Sequence, residues 1–241
     1  MRTFLQLLVP ALAAASIAAG GASGTEAPGG GIDHYYIVFL RPDPGRKALA
    51  KEDRDRIQAA HMANIQKMAD DGVLVAAGPM EDRPTTISGI FVFRTGSLAE
   101  AQRIASQDPT VVERRNTVDA HSWWGPKGIG SGYFQLKREH PEAKAAMAAH
   151  VFCIVKRGAA PAGGPQAGDD SSRLIESLKG AGALAAAGLI DGDPDLAAVL
   201  VFKSDSADEA RRGIAGDTAV QSGRLSPEFH RWWCADLVLP W

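Results

Sequence analysis

Phe91-Val-Phe-Arg-Thr-Gly-Ser-Leu-Ala-Glu-Ala-Gln-Arg-Ile-Ala-Ser-Gln-Asp-Pro-Thr-Val-Val-Glu-Arg-Arg-Asn-Thr-Val-Asp-Ala-His-Ser-Trp-Trp124 aligns without a gap onto Leu200 to Trp233. Twelve of the 34 positions are identical, among them Phe93/Phe202, Asp108/Asp217, His121/His230, Trp123/Trp232 and Trp124/Trp233. Chance would give about two. Upstream, Val73-Leu-Val-Ala-Ala-Gly78 agrees with Ala183-Leu-Ala-Ala-Ala-Gly188 at four of six positions. The chain contains one domain twice, and that duplication decides the architecture before any single residue is weighed.

Each copy reads β-α-β-β-α-β. In the first, Tyr35 to Leu40 is aromatic and β-branched and ends at Arg41-Pro42-Asp43-Pro44-Gly45, a strand followed by a turn. From about Lys47 to Asp71 the chain is helical, with Ile57, His61, Ile65 and Met68 on one stripe, and Gly72 stops it. Val73 to Ala77 and Ile87 to Arg94 read as strands around a Pro-containing loop. Ser97 with Glu100 forms a capping box opening a helix to about Gln107. Asp108-Pro109 breaks the chain, and a last strand carries His121 to Trp124. The second copy repeats this through strand 151–156, helix 170–181, strands 183–187 and 197–203, helix 206–215 and strand 229–238. Two crossovers of one hand put all helices on one face of an antiparallel-rich sheet. The fold class is α+β, two tandem ferredoxin-like domains. Each bare sheet leaves an apolar face, so the two are expected to pack face to face as an intramolecular pseudo-dimer, an α+β barrel. Whether this unit self-associates into a homo-oligomer is left open.

The boundaries follow. Residues 1–24 read as a signal peptide: Arg2 ahead of an apolar run to Ala19, then small residues through Gly24. Export to a periplasm or beyond is the expectation, with a retained anchor as the alternative. Residues 25–33 are a flexible lead-in, 34–124 the first domain, 125–149 a linker and 150–241 the second domain. Within the linker, Gly125 to Gly132 is flexible by composition and Pro141 to Ala149 looks like a short helix with Pro in its first turn.

Composition narrows function by exclusion. With 26 Lys and Arg against 28 Asp and Glu, and basic clusters broken by acids, there is no footprint for nucleic acid. No segment after the leader is long and apolar enough to span a bilayer. HExxH, P-loop, GxSxG and dinucleotide signatures are missing, and no two of the six histidines have a chelating helical spacing, so no cofactor or metal is expected. Cys153 and Cys234 fall on the first and last strands of the second copy, neighbours in this fold. A disulfide between them and two separately buried thiols both remain open.

The first copy resembles the YciI-like (YCII-related) domain family of the dimeric α+β barrel superfamily. The resemblance spans residues 35 to 124. It rests on His61 in the first helix, Asp70-Asp71-Gly72-Val73-Leu74 leading to Ala77-Gly78-Pro79, Ser97-Leu98-Ala99-Glu100-Ala101, and the closing Asp108-Pro109. The second copy departs from it: Ser171 stands in place of His61, Leu189 of Pro79 and Thr218 of Pro109, while Asp217 is kept. Members of the family are homodimers of one such domain, its proposed enzymes use a His and an Asp in a cleft, and one relative removes chloride from a chlorinated hydroxyquinol.

The candidate site is therefore His61 as general base with Asp108 orienting it, since a carboxylate on one ring nitrogen fixes the tautomer and frees the other. Gly78, Pro79, His121 and Trp123 are candidate substrate contacts, the last two as a polar group and an aromatic wall. The plain alternatives are a core histidine, a turn residue at Asp108, a turn at Gly78-Pro79 and Trp packing. The expected function is a cofactor-independent lyase or isomerase on a small polar or aromatic compound; the competing one is a non-catalytic small-molecule binder or structural pseudo-dimer.

Overall fold

The computed structural model describes residues 31–81, 86–158 and 167–241, with the side chains of 167–169 excepted. The signal peptide and most of the lead-in lie outside these residues. Element order is β1 (Ile32–Pro42), α1 (Lys51–Asp70), β2 (Leu74–Pro79), β3 (Gly89–Phe93), α2 (Leu98–Ser106), α3 (Pro109–Val112), β4 (Asn116–Pro126) and α4 (Ser131–Glu139). The second half continues with β5 (Met147–Arg157), α5 (Ala167–Gly180), β6 (Leu184–Asp191), β7 (Leu196–Phe202), α6 (Ala207–Ile214), α7 (Thr218–Gln221) and β8 (Leu225–Ala235), then a 3-10 turn, Asp236–Val238.

Local chemistry places these ends. Gly72 and its counterpart Gly182 stop α1 and α5 with φ of +73° and +69°, values that suit a residue without Cβ. The Ser97 hydroxyl accepts from the Glu100 amide at 3.2 Å, while the Glu100 carboxylate accepts from the Gly96 amide at 3.0 Å, one residue before the cap. Asp108 and Asp217 do more than break the chain: each caps a one-turn helix, α3 or α7, that sequence periodicity is too short to show.

The strands run β2-β3-β1-β4-β6-β7-β5-β8, every pair antiparallel, so each copy is a β2-β3-β1-β4 plait with its helices outside. The two sheets also join at their edges. β4 meets β6 through Ser122/Asp191, Trp123/Ile190 and Trp124/Leu189. At the pseudo-equivalent seam β8 meets β2: Met80 bridges Trp232, and the Glu81 amide donates to the Arg231 carbonyl at 2.9 Å. The sheet thereby closes into a barrel, which removes its open edges. Three apolar clusters result. One fills the barrel with Tyr35, Phe39, Trp123, Phe152 and Trp232; the others lie between each sheet and its own helices.

Gly78 lies at the closing seam. A Cβ there would sit 1.7 Å from the Trp233 carbonyl oxygen; at Gly188, in the other seam, it would sit 2.0 Å from that of Trp124. Both glycines are required by backbone-to-backbone approach, inside strands rather than in turns.

Two expectations are corrected, and the open choice for the cysteines is decided. The linker helix is Ser131–Glu139, not Pro141 to Ala149. Tyr133 and Phe134 anchor the real helix on the barrel core, while Met147 to Ala149 are drawn into β5 by pairing with Ala235 to Trp233. Tertiary pairing overrides a short Ala-rich stretch with no apolar face to bury. Gly125 to Gly132 is ordered: Gly125 and Pro126 pair with β1, and Ile129 is buried. Cys153 and Cys234 are free and buried. Along β5, Cys153 pairs with Phe229 and Cys234 with Ala148, five residues away. That puts the two cysteines roughly 17 Å apart along the strand. Cys153 also faces the helices and Cys234 the barrel interior, so no bridge can form.

Candidate active site

α1 buries Ile57 and Met68 against the outer face of the first sheet, and that stripe carries His61 inward. The His61 side chain is 16% exposed and Asp108 fully buried. His61 Nδ1 lies 2.9 and 2.8 Å from the two carboxylate oxygens of Asp108, and the imidazole rests 6.0 Å from the Phe91 ring. An ionised carboxylate only accepts, so Nδ1 carries a hydrogen and, in the neutral ring, Nε2 keeps a lone pair.

Asp108 is held on every side. Asn64, three residues after His61, donates to Oδ2 at 3.0 Å; the Thr110 amide and hydroxyl donate to Oδ1 at 2.9 and 2.6 Å. Burial pushes this carboxyl upward, but the hydrogen bonds from His61, Thr110 and Asn64 outweigh it and hold it below the ordinary carboxylate value. The chain continues outward: Asn116 Nδ2 donates to Thr110 Oγ1 at 3.0 Å, and Ser88 Oγ donates to Asn116 Oδ1 at 2.8 Å.

His61, Ser88, Thr110 and Asn116 line one cavity of about 420 Å³, together with Gly78 and Pro79. Apart from Gln58 and Gln66, its remaining wall is mainly apolar, from Met62, Ile65, Ile90 and Phe91 in the first copy, Tyr133 in α4, and Met147, Ala235 and Val238 in the second half. Both halves of the chain build it. Such a volume suits a small organic molecule.

Comparison of the copies is instructive. With Gly72 matched to Gly182, and Asp108 to Asp217, the residues His61, Asn64, Ser88, Thr110 and Asn116 become Ser171, Leu174, Ala197, Ala219 and Leu225. The entire polar chain is replaced by small or apolar groups, and Asp217 bonds only the Ala219 and Val220 amides, a cap and nothing more. The kept carboxylate thus reflects the cap common to both copies; the added partners belong to the first. The corresponding place in the second copy is also covered. Ala185 and Lys179, counterparts of the cavity-lining Val75 and Ala69, hold Trp241 through an amide-to-carbonyl bond of 3.2 Å and a Lys179 ammonium 4.8 Å from the ring.

His121 and Trp123 do not line this cavity. Both face the barrel interior, across the sheet from His61. His121 lies 5.2 Å from the Phe39 ring, with Nε2 2.9 Å from Asp119 and Nδ1 2.9 Å from Asp193. Trp123 packs near Tyr35 in the core. These are roles in barrel packing, on the opposite face of the sheet from His61. Among the described residues no group of three or more His, Cys, Asp or Glu side chains could hold a metal ion, and no helix is long and apolar enough to cross a membrane. Asn64, Ser88, Thr110 and Asn116 escaped the sequence reading. Their signal was in the repeat: polar residues whose counterparts are apolar.

Residues 35–118 match the YCII-related domain model. That match falls on the first copy and leaves the second outside it. By structure, the whole chain is similar to an arginine-to-lysine variant of chlorite dismutase from Candidatus Nitrospira defluvii, at TM-score 0.53 and 12% identity, covering 86% of this chain and 92% of that one. An arginine-to-glutamate variant of the same protein gives TM-score 0.54 and 11% identity, with coverage of 86% and 92%. At such identity the likeness concerns the fold, which the tandem barrel shares over most of both chains. The sequence matches no curated protein.

Proposed function

We propose that the YCII-related copy is a cofactor-independent lyase or isomerase acting on a small polar or aromatic compound. The observation that carries this is the His61 Nδ1–Asp108 pair at the cavity wall, absent from the second copy. His61 Nε2 takes a proton from a phenol or from a carbon beside a carbonyl. Asp108 keeps the tautomer and stabilises the imidazolium that forms. The electron pair left on the substrate either expels a leaving group or is reprotonated at another carbon from Nε2–H, so proton and charge balance without an external oxidant. The second half supplies wall rather than chemistry. Export, proposed on residues 1–24, would place the reaction outside the cytoplasm; fractionation with N-terminal sequencing checks it.

Incubating the protein in D2O with a panel of small phenols and carbonyl compounds, and following carbon-bound deuterium by NMR, tests the chemistry. Exchange or turnover by the native protein should fall at least ~100-fold in His61→Ala with the circular dichroism unchanged. Binding without exchange, or equal exchange by the variant, would favour a non-catalytic binder.

A further inference from the structure

The hydrogen bonds around Asp108 have a direction, and that direction reaches the cavity. Asp108 accepts from His61, Asn64, the Thr110 amide and the Thr110 hydroxyl. The Thr110 proton is therefore spent on the carboxylate, and the hydroxyl can only accept from Asn116. This fixes the Asn116 amide: its nitrogen faces Thr110 and its oxygen faces Ser88. The Ser88 hydroxyl must then donate to that oxygen, as its 2.8 Å contact shows. With its proton committed, Ser88 offers the cavity only a lone pair. At the other end the neutral His61 ring, with its hydrogen on Nδ1, offers the cavity the lone pair of Nε2. Asn116 touches the cavity too, but it is largely buried.

The rest of the wall adds little that could reverse this polarity. Gln66 is exposed and gives one amide hydrogen to Asp70 at 2.7 Å, keeping its second hydrogen and its oxygen toward solvent. Gln58 and Tyr133 can donate or accept. Apart from His61, no described lining residue is ionisable except Tyr133: there is no Lys or Arg for a carboxylate or phosphate, and no Asp or Glu for an ammonium.

Resting on the reading of this cavity as the substrate site, we infer that it takes an uncharged compound carrying two hydroxyl-type donors, one for His61 Nε2 and one for Ser88 Oγ. A donor left facing apolar wall, or an acceptor left without a donor, is desolvated without return, so the pattern discriminates as well as binds. Ser88 is then a specificity residue for the reaction proposed above, and Asn116 a positioning residue that acts through it.

The full chain is titrated by NMR with the three benzenediols, their monomethyl and dimethyl ethers, and benzoate. At least one diol should bind about five-fold more tightly than its monomethyl ether, with a further loss of about the same size for the dimethyl ether. Benzoate should bind more weakly than the diol. Ser88→Ala should bring that diol and its monoether to equal affinity. Dimethyl ethers binding as tightly as the diols, or benzoate binding best, would overturn the inference while leaving the cavity a binding site. A diol preference that persists in Ser88→Ala overturns the role of Ser88. These ligand comparisons in the native protein do not depend on any variant folding. If no probe perturbs cavity resonances, both this inference and the underlying reading of the cavity fall.

Discussion

Asp108 serves as helix cap and as anchor of an imidazole, and the two duties can be separated by titration. Its carboxyl lies below the ordinary value in the folded chain, because donated hydrogen bonds outweigh burial. A group depressed on folding contributes stability above its unfolded pKa of about 4, and loses it as pH falls through the folded value. Denaturant unfolding of the native protein should therefore weaken below about pH 4, and Asp108→Asn should flatten that part of the profile. Asp119, lowered to about 2 chiefly by its bond to His121, with Arg41 adding to it against burial, predicts the same sign over pH 4 to 2. An unaltered acid limb in the Asp119→Asn, Asp108→Asn double variant would contradict both assignments. His61 on its helix stripe was legible in the sequence, whereas the cap that Asp108 makes on α3 was not. Asn64, Thr110, Asn116 and Ser88 were not, because a polar residue among apolar ones announces a hydrogen bond but not its partner.

Elements were read well where the pattern is local and poorly where a distant segment decides. β1, α1 and α2 follow from alternation, a four-residue stripe and a serine cap. The β2–β8 seam could not be read, because it depends on Gly78 meeting a carbonyl over 150 residues further along the chain. Gly78→Ala should cost about 3 kcal/mol or more, since the clash is with backbone that cannot step aside without opening the barrel. Thermal unfolding checks this; a loss under 0.5 kcal/mol (~) would mean the seam is looser than the close approach requires. The cysteines make the same point through strand parity. Neighbouring strands were inferred correctly, but register puts Cys153 against the helices and Cys234 inside the barrel, its thiol pushed up to about 12 by burial beside Asp236. Denatured, unreduced protein should take up two alkyl groups by mass spectrometry, and a mass without them would contradict the register.

At the scale of the molecule, the duplication explains why one copy can forgo chemistry. The barrel needs two sheets to bury Phe39, Trp123, Phe152 and Trp232, and the cavity needs Met147, Ala235 and Val238 as wall. A fragment of residues 31–140 would expose the inner face of its sheet and lose that wall. Size-exclusion chromatography with light scattering should find it dimeric or aggregated, and a stable monomer would show that the second copy is dispensable for folding. The repeat made this architecture visible from sequence, because an apolar face left by one copy has a matching face in the other.

The central claim is that His61 holds its proton on Nδ1 against Asp108 and keeps Nε2 as a base facing the cavity. Nitrogen-15 NMR of histidine-labelled protein reads this directly. In its neutral form the His61 ring should carry its hydrogen at Nδ1, with the tautomer mixture shifting toward Nε2–H in Asp108→Asn. An Nε2–H tautomer in the native protein, or one indifferent to that substitution, would contradict it.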